Sequence, residues 1–390
     1  MHILFGFAGN HGHLDPLLPI ARAARAAGHT VAITGRPLMV PAIEAAGFTA
    51  FATGTDTGGA PRHTPLRRPD AEEEQRDFRD GFAGRLARER AAAVLELAAR
   101  WPPDVLVCDE TDFGTVVAAE RLGLPYATVL VLATGSFAPA ALVARPLHEL
   151  RAEFGLPPDP DLAMLSRYLV LSPVPPGYRD PGYPLPATAH PLRPSVLDAA
   201  QDEGDGGWVP GPGGRPAVYT TFGTVFNTES GDLFARVLAG LRDLPVDAVV
   251  TVGQHVDPAE FGEQPTNVHI ARYVPQARVL PHCQAVVSHG GSGSVLAALA
   301  HGLPSVLLPM GADQPSNAVR CERLGVARVL DAVDATPAMI REAVSTVLTE
   351  PRYRQAAGRI RDQAVGLPGA AHAVALLERL AATRRPLPRG

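Results

Sequence analysis

Ser288-His289-Gly290-Gly291-Ser292-Gly293-Ser294 follows the apolar run 285–288 and opens a stretch of helical pattern reaching about residue 301. A buried-type strand, a glycine-rich turn and a helix in succession make up the repeating unit of parallel α/β sheets. The turn is also built as an anion cradle. Its glycines let the backbone approach an anion, free N–H groups at the helix start point at it, and the helix dipole favours its charge. Ser292 and Ser294 add hydroxyl donors, and the ring of His289 adds another. Alone, this pattern is equally that of a tight turn, so its neighbours decide. Further on, Pro309-Met310-Gly311-Ala312-Asp313-Gln314-Pro315-Ser316-Asn317 again follows a strand-like run and again opens a helix. Asp313 only accepts and the neighbouring amide of Gln314 does both, a pair suited to sugar hydroxyls.

Outward from this stretch the same alternation continues. Strand patterns at 217–222, 247–252, 268–271, 305–309 and 327–330 accompany helix patterns near 231–242, 315–324 and 337–348. The amino-terminal half has strand patterns at 2–8, 30–34 and 48–53, separated by helices at 14–27 and 38–46 that Gly28 and Gly47 close. Strands at 105–109 and 126–132 follow, with a helix near 115–122 between them. From 145 to 216 the chain is dense in proline, which can neither donate to a ladder nor continue a helix. At 390 residues the chain also exceeds what one core usually supports. The expected division is an N-terminal domain at 1–195, a linker at 196–215, a C-terminal domain at 216–368, and a terminal helix and tail at 369–390 packing back on the first domain. The expected fold class is α/β: two Rossmann-like parallel-sheet domains facing a cleft, with ligands beyond the carboxyl ends of the strands.

Charge narrows the chemistry. A net charge of −5 gives no general attraction to nucleic acid or to an anionic membrane. The run 2–8 lacks a basic flank and is too short to span a bilayer, so no membrane span and a cytoplasmic location are expected. Cys108, Cys283 and Cys321 are widely spaced and suggest neither a disulfide framework nor a zinc site. All 35 basic side chains are Arg, so the Lys of a nucleotide phosphate loop or of a Schiff base is missing. Between 62 and 90 lie 15 charged residues of nearly balanced sign, which reads as a solvated loop and exposed helix, or as a loop lining a site.

His13 stands just after the first strand, in a glycine-rich turn expected to face the cleft. An imidazole there can take a proton near neutral pH. Asp109 ends the strand at 105–109 and could orient that ring; Asp112 competes for the role, and either could instead cap the helix that follows.

These motifs, taken together, resemble those of the family 1 glycosyltransferases. The resemblance rests on Gly12-His13-Leu14-Asp15-Pro16, Tyr219-Thr220-Thr221-Phe222-Gly223-Thr224, Val274-Pro275-Gln276, His289-Gly290-Gly291, Gly302-Leu303-Pro304, Pro309 and Asp313-Gln314 with Asn317. It spans almost the whole chain and is nearest to the bacterial members that decorate antibiotics and other natural products. It implies a glycosyltransferase B fold, with a small hydrophobic acceptor in the first domain and a nucleotide diphosphate sugar in the second. It implies inversion without a metal or other cofactor, and a dyad of His13 and Asp109. Donor contacts map to Thr224, Tyr273, Val274, Gln276, His289, Gly290, Gly291, Ser292, Gly293, Ser294, Asp313 and Gln314. Two positions depart from the family pattern: Asp15 replaces an expected Asn, and Tyr273-Val274 stands where plant members carry a Trp. The missing Trp and the apolar Tyr273-Val274-Pro275 stretch favour a thymidine over a uridine diphosphate donor. A homodimer is compatible with this reading.

Other readings share the alternating pattern. A nicotinamide dehydrogenase fits poorly, because the first turn runs Gly6-x-x-Gly9-x-x-Gly12 and no acid closes the second strand. A sugar-nucleotide 2-epimerase could use the same two-lobed fold. A non-catalytic auxiliary homologue is opposed by His13, Asp109 and Asp313 all being in place.

Overall fold

The computed structural model describes residues 1–56, 64–198, 210 and 214–389, and most of the linker expected at 196–215 lies outside them. The chain forms two compact units, each built on its own parallel sheet. Among the described residues no helix is long and apolar enough to cross a membrane.

The first unit comprises residues 1–56, 71–198 and 367–389. Its strands are β1 His2–Gly6, β2 Thr30–Gly35, β3 Thr49–Ala52, β4 Val105–Asp109, β5 Tyr126–Val129, β6 Leu169–Ser172 and β7 Ala189–Pro191. They lie in the order β3-β2-β1-β4-β5-β6-β7. Successive side chains of a strand point to opposite faces, and both faces here are covered. Ile3, Phe5, Val107 and Val129 join one core; Leu4, Leu106, Cys108 and Tyr126 join the other. The first core is completed by the helix Ala370–Thr383, whose Ala373, Val374, Leu377 and Leu380 pack with Leu17, Ile20 and Ala24.

Two elements differ from the sequence expectation. The helix expected over 14–27 is two helices, His11–Leu14 and Leu18–Ala26, interrupted at Pro16, which has no N–H to continue the helical ladder. The charged stretch is less solvated than expected. Its described part, beyond 62–63, holds the helix Ala71–Arg76, the π-helix Asp77–Leu86 and the helix Ala87–Arg100, which bury Phe78, Ala83, Leu86, Ala87 and even Arg90.

The second unit holds β8 Ala217–Thr221, β9 Asp247–Thr251, β10 Val268–Ala271, β11 Ala285–Ser288, β12 Ser305–Leu307 and β13 Ala327–Val329, in the order β10-β9-β8-β11-β12-β13. Residues 64–70 cluster with this unit and not with the domain expected at 1–195. The Thr64 N–H donates to the Thr228 carbonyl at 2.9 Å. Leu66 packs on the second core, and Arg68 pairs with Asp331 and Asp334.

In each sheet the strand order reverses once, between β1 and β4 and between β8 and β11. The carboxyl ends of strands at such a reversal splay their following loops apart, which leaves room for a ligand. His13 follows β1, Asp109 ends β4, Thr224 follows β8 and His289 follows β11.

Candidate functional site

In the first unit, Gly6 of β1 is in register with Cys108 of β4, so the turn after β1 leaves the sheet beside Asp109. The short helix His11–Leu14 brings His13 back towards that strand end. His13 Nδ1 lies 3.3 Å from Asp109 Oδ1, with the imidazole 22% exposed and the carboxylate fully buried. The carboxylate is held at both oxygens. Oδ2 accepts the Ala8 N–H at 2.8 Å; Oδ1 accepts the Thr111 N–H at 2.7 Å and the Thr111 hydroxyl at 2.5 Å. Thr111 Oγ1 is itself 3.2 Å from His13 Nδ1. Burial alone would raise the Asp109 pKa, but the imidazole, Thr111 and the Ala8 amide outweigh it and hold the carboxyl below its usual range.

The surroundings of the ring are equally defined. A Cβ on Gly9 would fall 2.0 Å from His13 Cδ2, so only glycine lets the imidazole sit there. Phe82 stacks on the imidazole at 5.9 Å between centroids and 19° between planes. Phe78 stacks in turn on Phe82 and meets Phe113 and Phe137 edge-on, making an aromatic wall. The rarity of π-helices, and their frequency at functional sites, fits the segment that carries Phe78 and Phe82.

Asp112 has a different task. It caps the helix Phe113–Leu122 by accepting the Thr115 N–H at 3.1 Å, and it takes Arg90 Nε at 2.8 Å. Both members of this pair are fully buried, and Arg90 also donates to Thr53 Oγ1 at 2.8 Å.

In the second unit, Ser288 of β11 pairs with Thr221 of β8, which brings the turns 222–224 and 289–291 together. His289 lies between Gly223 and Gly291: a Cβ on either would come within 2.8 Å and 2.6 Å of its Nε2. Gly223 and Gly290 also have φ of +74° and +86°, a backbone that favours glycine. Burial drives the His289 pKa down to about 4 against the opposing pull of the Thr221 carbonyl, so the ring is neutral at pH 7. Its Nδ1 is buried without a hydrogen-bond partner among the described residues. The neutral ring carries no charge and a single N–H, for which the Thr221 carbonyl and a bound anion would compete.

The helix Ser292–Ala300 begins at this turn with no side chain of its own capping it. Gly293 and Ser294 lie in its exposed to half-exposed first turn, whereas Ser292 is buried and tied across to Asp313. Asp313 Oδ2 accepts the Ser292 N–H at 3.2 Å, the Ser292 hydroxyl at 2.5 Å and the Asn317 amide at 2.9 Å. Gln314 is 1% exposed, and its Oε1 accepts the N–H groups of Met310 and Gly311 at 2.8 and 3.3 Å. Its amide carbonyl is therefore committed to its own loop. Between these acids and amides Ala312 adopts φ +51°, an uncommon conformation for a residue with a side chain, of the kind that clusters at ligand sites.

Thr224 is exposed beside Gly223. Tyr273 is 63% exposed and presents its ring, while Val274 is 2% exposed and presents no side chain to a ligand. Gln276 begins the short helix Gln276–Val279 and reaches the hydroxyl of Tyr219, which burial holds above its usual pKa. Sequence reasoning passed over Thr111 and Phe82, and it quoted Asn317 in the motif without giving it a role. The Asp-x-Thr spacing is a turn signal that could have found Thr111; nothing marked Phe82 within its charged surroundings. Among the described residues no three His, Cys, Asp or Glu side chains converge as a metal site.

The first unit thus offers a partly exposed imidazole braced by a buried carboxylate beside an aromatic wall. The second offers a glycine-lined helix start with a neutral histidine. Comparison with known proteins adds to this geometry. Residues 235–380 match the family model described as Erythromycin biosynthesis protein CIII-like, C-terminal domain. The chain is 28% identical to the 10-deoxymethynolide desosaminyltransferase of Streptomyces venezuelae, over 100% of this chain and 99% of that one. It is 29% identical to the 4'-demethylrebeccamycin synthase of Lentzea aerocolonigenes, over 97% and 99%. Its structure is similar to that of the glycosyltransferase VinC in complex with DTDP, with a TM-score of 0.77 at 26% identity, covering 98% of this chain and 100% of that one.

Proposed function

We propose that this chain works as a family 1 glycosyltransferase that inverts the sugar's anomeric centre in a single displacement, with His13 as general base. The acceptor hydroxyl gives its proton to His13 Nε2 as its oxygen bonds to the anomeric carbon, and the bond from that carbon to the nucleoside diphosphate breaks. One displacement from the side opposite the leaving group inverts the centre. The observation that carries this reading is the bracing of His13 Nδ1 by Asp109 and Thr111. A buried, charged carboxylate at that nitrogen stabilises the imidazolium that forms when the other nitrogen takes the proton.

The leaving diphosphate carries its negative charge to the second unit. There the helix start at Gly293 and Ser294, the neutral ring of His289 and the hydroxyl of Thr224 are the donors that would meet it. Asp313 is held in place by Ser292 and Asn317 and would accept from sugar hydroxyls. The acceptor is a small hydrophobic natural product, a reading supported by the aromatic wall around Phe82 and by the relatives' own substrates. The donor is thymidine-linked in preference to uridine-linked, a reading supported by the absent Trp, the exposed Tyr273 ring and the DTDP held by VinC.

The test is His13→Ala, assayed with an alcohol acceptor. Turnover should fall by about a hundredfold or more, the scale of a lost general base, with nucleotide binding intact. Near-normal turnover at neutral pH would remove His13 from the role.

A further inference from the structure

We propose that Thr111 is a positioning residue for His13, its hydroxyl fixing which ring nitrogen carries the proton. The inference rests on the reading of His13 as the base. Asp109 Oδ1 accepts the Thr111 hydroxyl at 2.5 Å. With its one proton committed there, Thr111 Oγ1 can only accept from its other neighbour, His13 Nδ1 at 3.2 Å. Asp109 Oδ1 stands 3.3 Å from the same nitrogen. Two oxygen acceptors therefore converge on Nδ1, which holds the neutral imidazole with its N–H at Nδ1 and its lone pair at Nε2.

Neither contact is short enough to orient the ring alone, since well-formed N–H···O bonds cluster near 2.9–3.0 Å. Sharing one N–H between carboxylate and hydroxyl makes the orientation depend on both. No proton passes to Thr111 in this scheme. When Nε2 takes the acceptor's proton, Nδ1 keeps its own, and the new positive charge faces Asp109 with Thr111 between them. Thr111 is 1% exposed, so solvent does not replace its hydroxyl. The turn itself does not require that hydroxyl, because the Thr111 backbone N–H already donates to Asp109 at 2.7 Å.

Valine keeps the shape and the backbone N–H of Thr111 and removes only the hydroxyl, so the test compares Thr111→Val and Thr111→Ser with the wild type and with His13→Ala. Steady-state kinetics and the ¹⁵N resonances of the His13 ring are measured on the full chain. Thr111→Val should lower kcat about tenfold, the scale of one hydrogen bond to a charged group, with the acceptor KM nearly unchanged. Its ring signals should move from the Nδ1–H tautomer towards a mixture, and Thr111→Ser should restore both readouts. A valine variant with wild-type kcat and tautomer overturns the proposal, as does a serine variant as impaired as the valine one. Should the valine variant not fold, Thr111→Ala replaces it in both readouts, and a wild-type ring protonated at Nε2 overturns the proposal. Near-normal turnover in His13→Ala defeats the base assignment instead, and the tautomer still judges Thr111 separately.

Discussion

His289 loses its proton on folding, because its site is buried and lacks a counter-charge. Its pKa falls from 6.5 to about 4, so between those values the unfolded chain binds a proton that the folded one refuses. Stability tied to this residue is full above pH 6.5 and drains away as the pH falls towards 4. The whole effect is about 3 kcal/mol. Asp109 works in a lower window, since its depressed carboxyl loses stabilisation only below its ordinary value of 3.8. Urea unfolding of the wild type and His289→Asn at pH 7 and pH 4.5 separates the two. The variant should lack most of the wild type's loss over that interval; equal losses would mean that His289 is not the titrating group. Asp112 makes a different prediction at the same scale. Asp112→Ala leaves the Arg90 guanidinium buried without its partner and should cost about 3–5 kcal/mol in the same experiment.

At the scale of elements, the turn between β1 and the helix His11–Leu14 is the most constrained piece of the first unit. Gly9→Ala places a methyl group where His13 Cδ2 now lies, so the ring must move. A displacement of about 1 Å at a catalytic group can cost about a hundredfold in rate, and that loss of kcat is expected. Nucleotide affinity, measured by calorimetry, should not change, because Gly9 and the residues proposed to hold the nucleotide belong to different units; a large loss of affinity would show a wider disturbance. The elements also show what a sequence reveals. The placements of His13 and Asp109 were legible because Asp109 ends a strand and His13 stands in the glycine-rich stretch that follows one, where the alternation of elements fixes position. Arg90 was not, since one Arg among many charges gives no sign that Asp112 awaits it in the core. The break at Pro16 was hidden by an apolar pattern that continues across it. Gln314 was expected to meet sugar hydroxyls; that its amide oxygen also closes its own loop is a use that composition cannot reveal.

For the whole molecule, the two units predict two separable responses. Thymidine diphosphate should raise the unfolding temperature and bind more tightly than uridine diphosphate. One methyl group in an apolar contact is worth about 1–3 kcal/mol, so the preference should lie between about tenfold and two-hundredfold. Calorimetry with both nucleotides measures it, and equal or tighter uridine binding would defeat the donor preference while leaving the transferase assignment in place. Excess chelator should leave turnover unchanged, because protein donors are proposed to meet the diphosphate; loss of activity restored by magnesium or manganese would contradict that. The two-unit plan was legible from the strand and helix alternation. The membership of residues 64–70 was not, because it depends on Leu66 and Arg68 finding partners more than a hundred residues away.

The first unit's core also includes the helix Ala370–Thr383, which the chain reaches only after building the second unit. During synthesis at about 5–20 residues per second, the ribosome spends on the order of ten seconds or more on the intervening residues. Through that interval the apolar side of Leu17, Ile20 and Ala24 has no cover from Val374, Leu377 and Leu380. Birth order and completion order are thus reversed: the half made first is the last to close.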